Sequence, residues 1–292
     1  MKSGTQIIND ISEIIDNYDV FFIDLWGVVH NGVKLFPGVL EVLEVLKVKK
    51  KVIFFITNAP RRANVISKQL KEFGINYDLY DRIVSSGEIT WFSLRKKIMN
   101  TSKVLKFYHI GPPRDEHLIE GLEFEECNDL SEVDIIVNTG PWGDRDKLEN
   151  YTKILDTSRK YSIPMICSNP DKTVIRGNNF MICAGALAEY YEEIGGKVEY
   201  YGKPYSEIYN YCFQHLNNFD KKKILFVGDS LDNDIKGANI QKCDSLLVTN
   251  GIHREINKSN NEEIDELKMN NLLKMKKIYP NLAINKFCFE EK

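Results

Sequence analysis

Short apolar runs punctuate the chain, and each stops abruptly at an acid, a hydroxyl or a glycine. Val20–Ile23 runs into Asp24, with Gly27 soon after. A four-residue run of this kind reads as a buried strand that opens at the carboxyl edge of a sheet. After Pro37-Gly38, Val39, Leu40, Val42, Leu43 and Leu46 recur at helical spacing up to a basic run at 49–51. A second apolar strand over 52–56 ends in Thr57-Asn58, and Pro60 then stands where a helix start tolerates it. That helix is expected to end near Gly74. Upstream, Ile7, Ile8, Ile11, Ile14 and Ile15 predict a helix over 5–17. Strand, helix, strand, helix implies a parallel sheet with right-handed crossovers.

The middle of the chain reads as a second α/β unit. Ile83-Val84-Ser85-Ser86-Gly87 leads into a helix through Leu94. Strands are expected over 104–110, 135–137 and 164–167, with a helical segment over 145–160. The unit closes on the polar turn Ser168-Asn169-Pro170-Asp171. The last third resumes the first style, with helices over 186–194 and 205–216 and the turn Tyr201-Gly202-Lys203-Pro204 between them. A strand over 224–227 ends in Gly228-Asp229-Ser230, with a helix from near Asp234. Another strand over 245–248 ends at Asn250-Gly251, and Leu267, Leu272, Leu273 and Met275 keep a modest helical pattern. No repeat at solenoid periods is present. The economical division is a Rossmann-like core from residues 1–84 and 176–292, with an inserted α/β domain over 85–175.

Composition narrows the class. The 292 residues are 43% hydrophobic and 28% charged, as in an ordinary globular protein that can bury a full core. The net charge of −3 gives no nucleic-acid or membrane surface. No apolar run approaches the ~18 residues of a transmembrane helix, and the N-terminus lacks a basic start with an apolar segment behind it. The six cysteines are widely spaced with no C-x-x-C pair, which reads as buried thiols in a reducing cytoplasm.

Three strand ends carry reactive groups: Asp24, Thr57-Asn58 and Asp229. Neighbouring strands lie about 4.8 Å apart, so these ends can share one edge. Two carboxylates and a hydroxyl there suit a divalent cation and a phosphate, and Mg²⁺ takes one or two carboxylates while keeping sites for phosphate oxygens. Lys203 supplies a point charge for the anion. A carboxylate in such a site is a covalent nucleophile for phosphoryl transfer. Taken singly, Asp24 reads as a turn-capping acid, Lys203 as a solvated turn residue and Asp234 as a helix-start acid. Their combination and order carry the weight.

That order, Asp24, Thr57, Lys203, then Asp229 and Asp234, resembles the haloacid dehalogenase (HAD) superfamily over nearly the whole chain. Gly228-Asp229-Ser230-Leu231-Asp232-Asn233-Asp234-Ile235 is the most specific match. The insert, with Ser168-Asn169-Pro170-Asp171 and Ala184-Gly185-Ala186-Leu187, is similar to the cap of the class IIA, NagD-like branch of phosphatases. The resemblance implies a Rossmann-like core with a C2-type cap. In it Asp24 is the nucleophile and a Mg²⁺ ligand, with the Trp26 carbonyl and Asp229 completing the metal site. It also implies that Thr57 and the Asn58 backbone hold the phosphoryl group and that Lys203 stabilises it. Asp234 orients Lys203 or a water on the metal, and Asn169 and Asp171 help select a small phosphorylated metabolite. A homodimer through the cap follows by the same analogy.

Position 26 departs from the pattern. Family phosphatases carry there a second Asp that protonates the leaving group and activates water. An indole N–H donates a hydrogen bond but cannot shuttle a proton, and a missing general acid–base costs ~10² to 10⁴-fold. His30 is read as an exposed turn residue that has the right chemistry to serve instead. The rival expectation is a phosphate-ligand binding protein that keeps the metal and phosphate sites without hydrolysis. A phosphotransferase, or hydrolysis of a different bond, in which the leaving group needs no proton, is a third.

Overall fold

The structure, a computed structural model, describes residues 4–176, 179–258 and 263–290. Two compact units emerge, one from Met1–Thr57, Ser67–Val84 and Tyr209–Lys292, the other from Asn58–Ile66 and Ser85–Ile208.

A seven-stranded sheet organises the first unit. Its order is Gln6–Ile7, Leu282–Ile284, Asp244–Val248, Ile224–Gly228, Val20–Ile23, Val52–Thr57 and Arg82–Ser85. The first six of these strands pair in parallel. Phe226, Phe22 and Phe54 stand in register across three neighbouring strands, with ring centroids 5.0 and 5.6 Å apart. All three are at most 3% exposed, so Phe22→Ala would cost ~3–5 kcal/mol. From Val20–Ile23 the chain steps outward to Val52–Thr57 and Arg82–Ser85, then resumes on the other side at Ile224–Gly228. This reversal marks the carboxyl ends of Val20–Ile23 and Ile224–Gly228 as the topological switch point, where open α/β sheets leave a crevice.

A five-stranded parallel sheet organises the second unit, in the order Val198–Tyr200, Met165–Cys167, Ile135–Asn138, Leu105–Ile110, Phe124–Glu126. Side chains alternate between two covered faces. Ile136 and Met165 pack with Leu155, Leu187 and Tyr191, while Phe107, Ile135 and Val137 pack with Leu94 and Leu118. A two-stranded antiparallel pair, Thr173–Arg176 with Asn179–Ile182, follows the Asn169–Asp171 turn. This is the expected mixed α/β architecture with a Rossmann-like parallel sheet. No helix among the described residues is long and apolar enough to cross a membrane.

Two expected helices are corrected. Over 5–17 the chain forms the edge strand Gln6–Ile7 and two short 3-10 turns, Ile11–Glu13 and Ile15–Asn17. Asp10 accepts the Ser12 N–H at 2.6 Å and Glu13 accepts those of Asn9 and Asp10, so local side-chain bonds displace the helical ladder. Gln6 and Ile7 meanwhile find partners in Leu282 and Ala283. Over 145–160 the helix begins only at Thr152, after the short turn Leu148–Asn150. Asp146 there takes the Gly143 N–H at 2.9 Å and the Tyr151 hydroxyl, which holds the segment as a loop.

Candidate active site

In the first unit the switch point gathers carboxylates. Asp24 directly follows Ile23 and extends the ladder, its N–H donating to the Val227 carbonyl at 2.8 Å. Asp229 directly follows Gly228 on the paired strand, and Thr57 ends the strand on the other side. Asp234 sits on a wide π-type turn, Leu231–Ile235, a geometry that often marks functional sites. Its N–H returns to the Ser230 carbonyl at 2.9 Å, and its Oδ2 accepts the Ser230 N–H at 3.1 Å. Asp229 Oδ2 accepts the Ile252 N–H at 2.8 Å.

Glycines make room for these acids. A Cβ at Gly228 would lie 2.1 Å from the Asp234 carboxyl carbon, and one at Gly251 would lie 2.1 Å from Asp229 Oδ2. Gly27, at φ +84°, abuts the same Asp229 carboxylate. As a result Asp24, Asp229 and Asp234, each at most 8% exposed, bring one oxygen apiece within 4.8 Å of one another. Ligands bonded to one Mg²⁺ at ~2.1 Å lie within ~4.2 Å of each other, so this hard-oxygen set fits a divalent cation after a small inward movement.

Trp26 and His30 lie beside this cluster in sequence and are tied to one another. The Trp26 ring occupies the space that Gly32 leaves empty, since a Cβ there would meet the indole at 2.2 Å. His30 meets Trp26 edge-on at 5.3 Å and Phe73 at 5.2 Å. It is 2% exposed, so the exposed-turn expectation is corrected: His30 is a buried residue of the turn. Its Nδ1 accepts the Gly32 N–H at 3.0 Å, which in the neutral ring leaves the proton on Nε2. His253 gains a role the sequence did not signal. Its Nε2 accepts the Leu231 N–H at 3.3 Å and so holds the start of the turn that carries Asp234, while burial lowers its pKa.

The remaining expected residues meet in the second unit. Asn58 is 3% exposed and Lys203 4% exposed. Asn58 Nδ2 donates to Asp171 Oδ1 at 2.8 Å and to the Lys203 carbonyl at 3.0 Å, and Asn58 Oδ1 accepts the Lys203 N–H at 2.7 Å. Asn169 Oδ1 accepts the Asp171 N–H at 3.1 Å, closing the polar turn. The structure thus joins Asp24, Asp229 and Asp234 in one unit, and Asn58, Asn169, Asp171 and Lys203 in the other.

Known proteins share this plan. The haloacid dehalogenase-like hydrolase family matches residues 21–125, and a HAD-hydrolase-like family matches residues 200–273. A 4-nitrophenylphosphatase from Schizosaccharomyces pombe is 28% identical over 84% of this chain and 88% of its own. A chloroplastic phosphoglycolate phosphatase, 1A, from Arabidopsis thaliana is 26% identical over 85% of this chain and 73% of its own. The crystal structure of a haloacid dehalogenase-like family hydrolase from Brucella suis is 30% identical, covers 96% of this chain and 99% of its own, and superposes with a TM-score of 0.82. The chain belongs to the haloacid dehalogenase superfamily of hydrolases, and within it to the class IIA, NagD-like branch.

Proposed function

We propose that this hydrolase is a Mg²⁺-dependent phosphatase of a small phosphorylated metabolite, acting through an aspartyl-phosphate on Asp24. The observation that carries the reading is the buried trio Asp24, Asp229 and Asp234 at the switch point. A purely structural role for three buried like charges has no evident benefit, whereas a divalent cation balances them. Phosphatase relatives matched over 73–88% of their own length support the same class.

In this mechanism Asp24 Oδ attacks phosphorus as the bond to the leaving oxygen breaks. Thr57 donates its hydroxyl proton as a hydrogen bond to the phosphoryl group, aided by the Asn58 backbone, and the Lys203 ammonium balances charge that grows in the transition state. Asp24, Asp229 and the Trp26 carbonyl would hold a Mg²⁺ ion, which would supply positive charge to offset the phosphoryl oxygens and the carboxylates. Asp234 orients Lys203 or the incoming water. Water then attacks the aspartyl-phosphate, freeing inorganic phosphate and restoring the Asp24 carboxylate, and the proton it gives up ends on the alcoholate expelled in the first step. Residues 85–175 belong to the cap that admits the substrate, with Asn169 and Asp171 on its selecting turn. The six widely spaced cysteines suit a cytoplasmic enzyme, and a cap-mediated homodimer is its proposed assembly.

A second reading rests on Trp26. Its indole, fixed on Gly32 and His30, offers no transferable proton, which favours a phosphate-binding protein without turnover. A panel of phosphate esters with Mg²⁺ decides between them, run on wild type, Asp24→Asn and Trp26→Asp. Phosphate release by wild type that Asp24→Asn abolishes supports the enzyme. A wild type inactive on every ester, with activity gained only in Trp26→Asp, establishes the binding protein instead.

A further inference from the structure

Lys203 carries its charge on a flexible four-carbon stem, so the place of the ammonium depends on how firmly the backbone of residue 203 is held. One side chain grips that backbone at both polar groups. Asn58 Oδ1 accepts the Lys203 N–H at 2.7 Å while Asn58 Nδ2 donates to the Lys203 carbonyl at 3.0 Å. The second Nδ2 hydrogen is spent on Asp171 Oδ1 at 2.8 Å. These partners fix the orientation of the amide, because only its nitrogen can donate to a carbonyl and a carboxylate.

No other side chain of this length meets the demand for one acceptor and two donors. Aspartate at 58 would turn acceptors toward a carbonyl and a second carboxylate, and leucine would forfeit all three bonds. The surroundings are built for the grip. A Cβ at Gly202 would stand 2.5 Å from Asn58 Oδ1 and 3.0 Å from Ser86 Oγ, so only glycine lets the turn approach. Ser86 Oγ pairs with the Ser168 and Tyr201 carbonyls, tying the turn before Lys203 to the turn before Asp171. Asp171 is itself anchored, its carbonyl accepting the Gly185 N–H at 3.0 Å.

We propose that Asn58 and Asp171 are positioning residues for Lys203: Asp171 orients the Asn58 amide, and Asn58 sets where the Lys203 ammonium stands. The proposal rests on the reading of Lys203 as the cation of the phosphoryl site. It gives the Asn58 side chain a task separate from its backbone, and gives Asp171 a route to the chemistry that needs no substrate contact. A misplacement of about 1 Å in such a group costs on the order of 10²-fold in rate.

The test couples crystal structures to kinetics with 4-nitrophenyl phosphate and a small alkyl phosphate. Asn58→Ala is expected to displace Lys203 Nζ by about 1 Å or more and to lower kcat ~10- to 100-fold with KM within about twofold. Asp171→Ala is expected to lower kcat for both substrates by the same factor. Asp171→Asn, whose amide oxygen still accepts from Asn58, should recover most of that loss. The Asp171 pair keeps the proposal falsifiable should Asn58→Ala not fold. Lys203 Nζ in its wild-type place in the variant crystals overturns the proposal, as does an Asp171→Ala effect confined to KM and different for the two substrates. A wild type without phosphatase activity overturns the functional reading instead, and the position of Lys203 Nζ still decides this one.

Discussion

At the scale of single residues, Trp26 sets the chemistry that is within reach. If Asp24 is the nucleophile, as proposed, the indole two residues on supplies no transferable proton, so the leaving oxygen departs as an anion and the rate depends on how well it bears that charge. Wild-type kcat/KM is therefore expected to fall steeply from aryl to alkyl phosphates as the pKa of the leaving alcohol rises. Trp26→Asp should flatten that slope and raise alkyl phosphate turnover ~10²-fold. The same change removes the indole from Gly32 and lowers stability by ~1–3 kcal/mol, which a denaturant titration reads separately. An equal slope in wild type and variant would show that the proton comes from elsewhere. Gly251 carries a simpler expectation. An alanine Cβ there must push Asp229 aside, since it would stand 2.1 Å from Oδ2 and 2.4 Å from the Asp229 Cβ. Gly251→Ala should weaken Mg²⁺ binding at least ~10-fold by calorimetry while the fold survives.

At the scale of elements, the strand Leu105–Ile110 holds a pH-sensitive residue. His109 is partly buried, bonds Thr139 Oγ1 at 3.0 Å, and has its pKa pushed by desolvation from 6.5 down to about 4. An unfolded chain protonates this ring near 6.5, so between these values the unfolded state binds the extra proton. Stability from the neutral ring is complete above about 6.5 and drains away as pH falls toward 4, by up to about 3 kcal/mol. Urea titrations at pH 7.5 and 4.5 should show this loss, and His109→Phe should reduce it. An undiminished loss in the variant would assign the acid sensitivity to other groups. The elements also show what a sequence can carry. Val20–Ile23 with Asp24, and Ile224–Gly228 with Asp229, were legible because a continuous apolar run stopped by an acid fits a buried strand that ends at a sheet edge and little else. The 5–17 segment was not, because five isoleucines at helical spacing also suit a sheet edge, and Asn9, Asp10 and Glu13 decide between them through local bonds. Strands of three residues, such as Phe124–Glu126 and Leu282–Ile284, are too short for any period. The Asn58 grip was invisible because its partners lie 113 and 145 residues away, and neither separation leaves a local pattern. Likewise nothing near His30 announces that Trp26, Gly32 and Phe73 enclose it.

At the scale of the molecule, folding of the first unit brings together three acids from distant parts of the chain. Asp24 lies in the first segment of that unit, and Asp229 and Asp234 lie in its last. Three buried carboxylates within 4.8 Å repel one another, on the order of 3 kcal/mol per pair at an effective dielectric of ~20. The metal-free protein carries that cost on folding, and a bound divalent cation offsets it because the unfolded chain has no such site. Mg²⁺ at about 100 times its Kd should add about 2.7 kcal/mol, which for a protein of this size raises Tm by ~4–5 °C. EDTA should reverse the rise and abolish activity together. Asp229→Asn removes one charge and keeps the side-chain shape, with an amide oxygen still able to accept the Ile252 N–H. Its metal-free form should therefore melt above metal-free wild type, while its response to Mg²⁺ should nearly vanish. Hydrogen exchange places the effect in the structure. Mg²⁺ should slow exchange in Val20–Ile23 and Ile224–Gly228 far more than in Ile135–Asn138 of the second unit. Equal Mg²⁺ shifts in wild type and Asp229→Asn would place the stabilising ion somewhere other than the acidic trio.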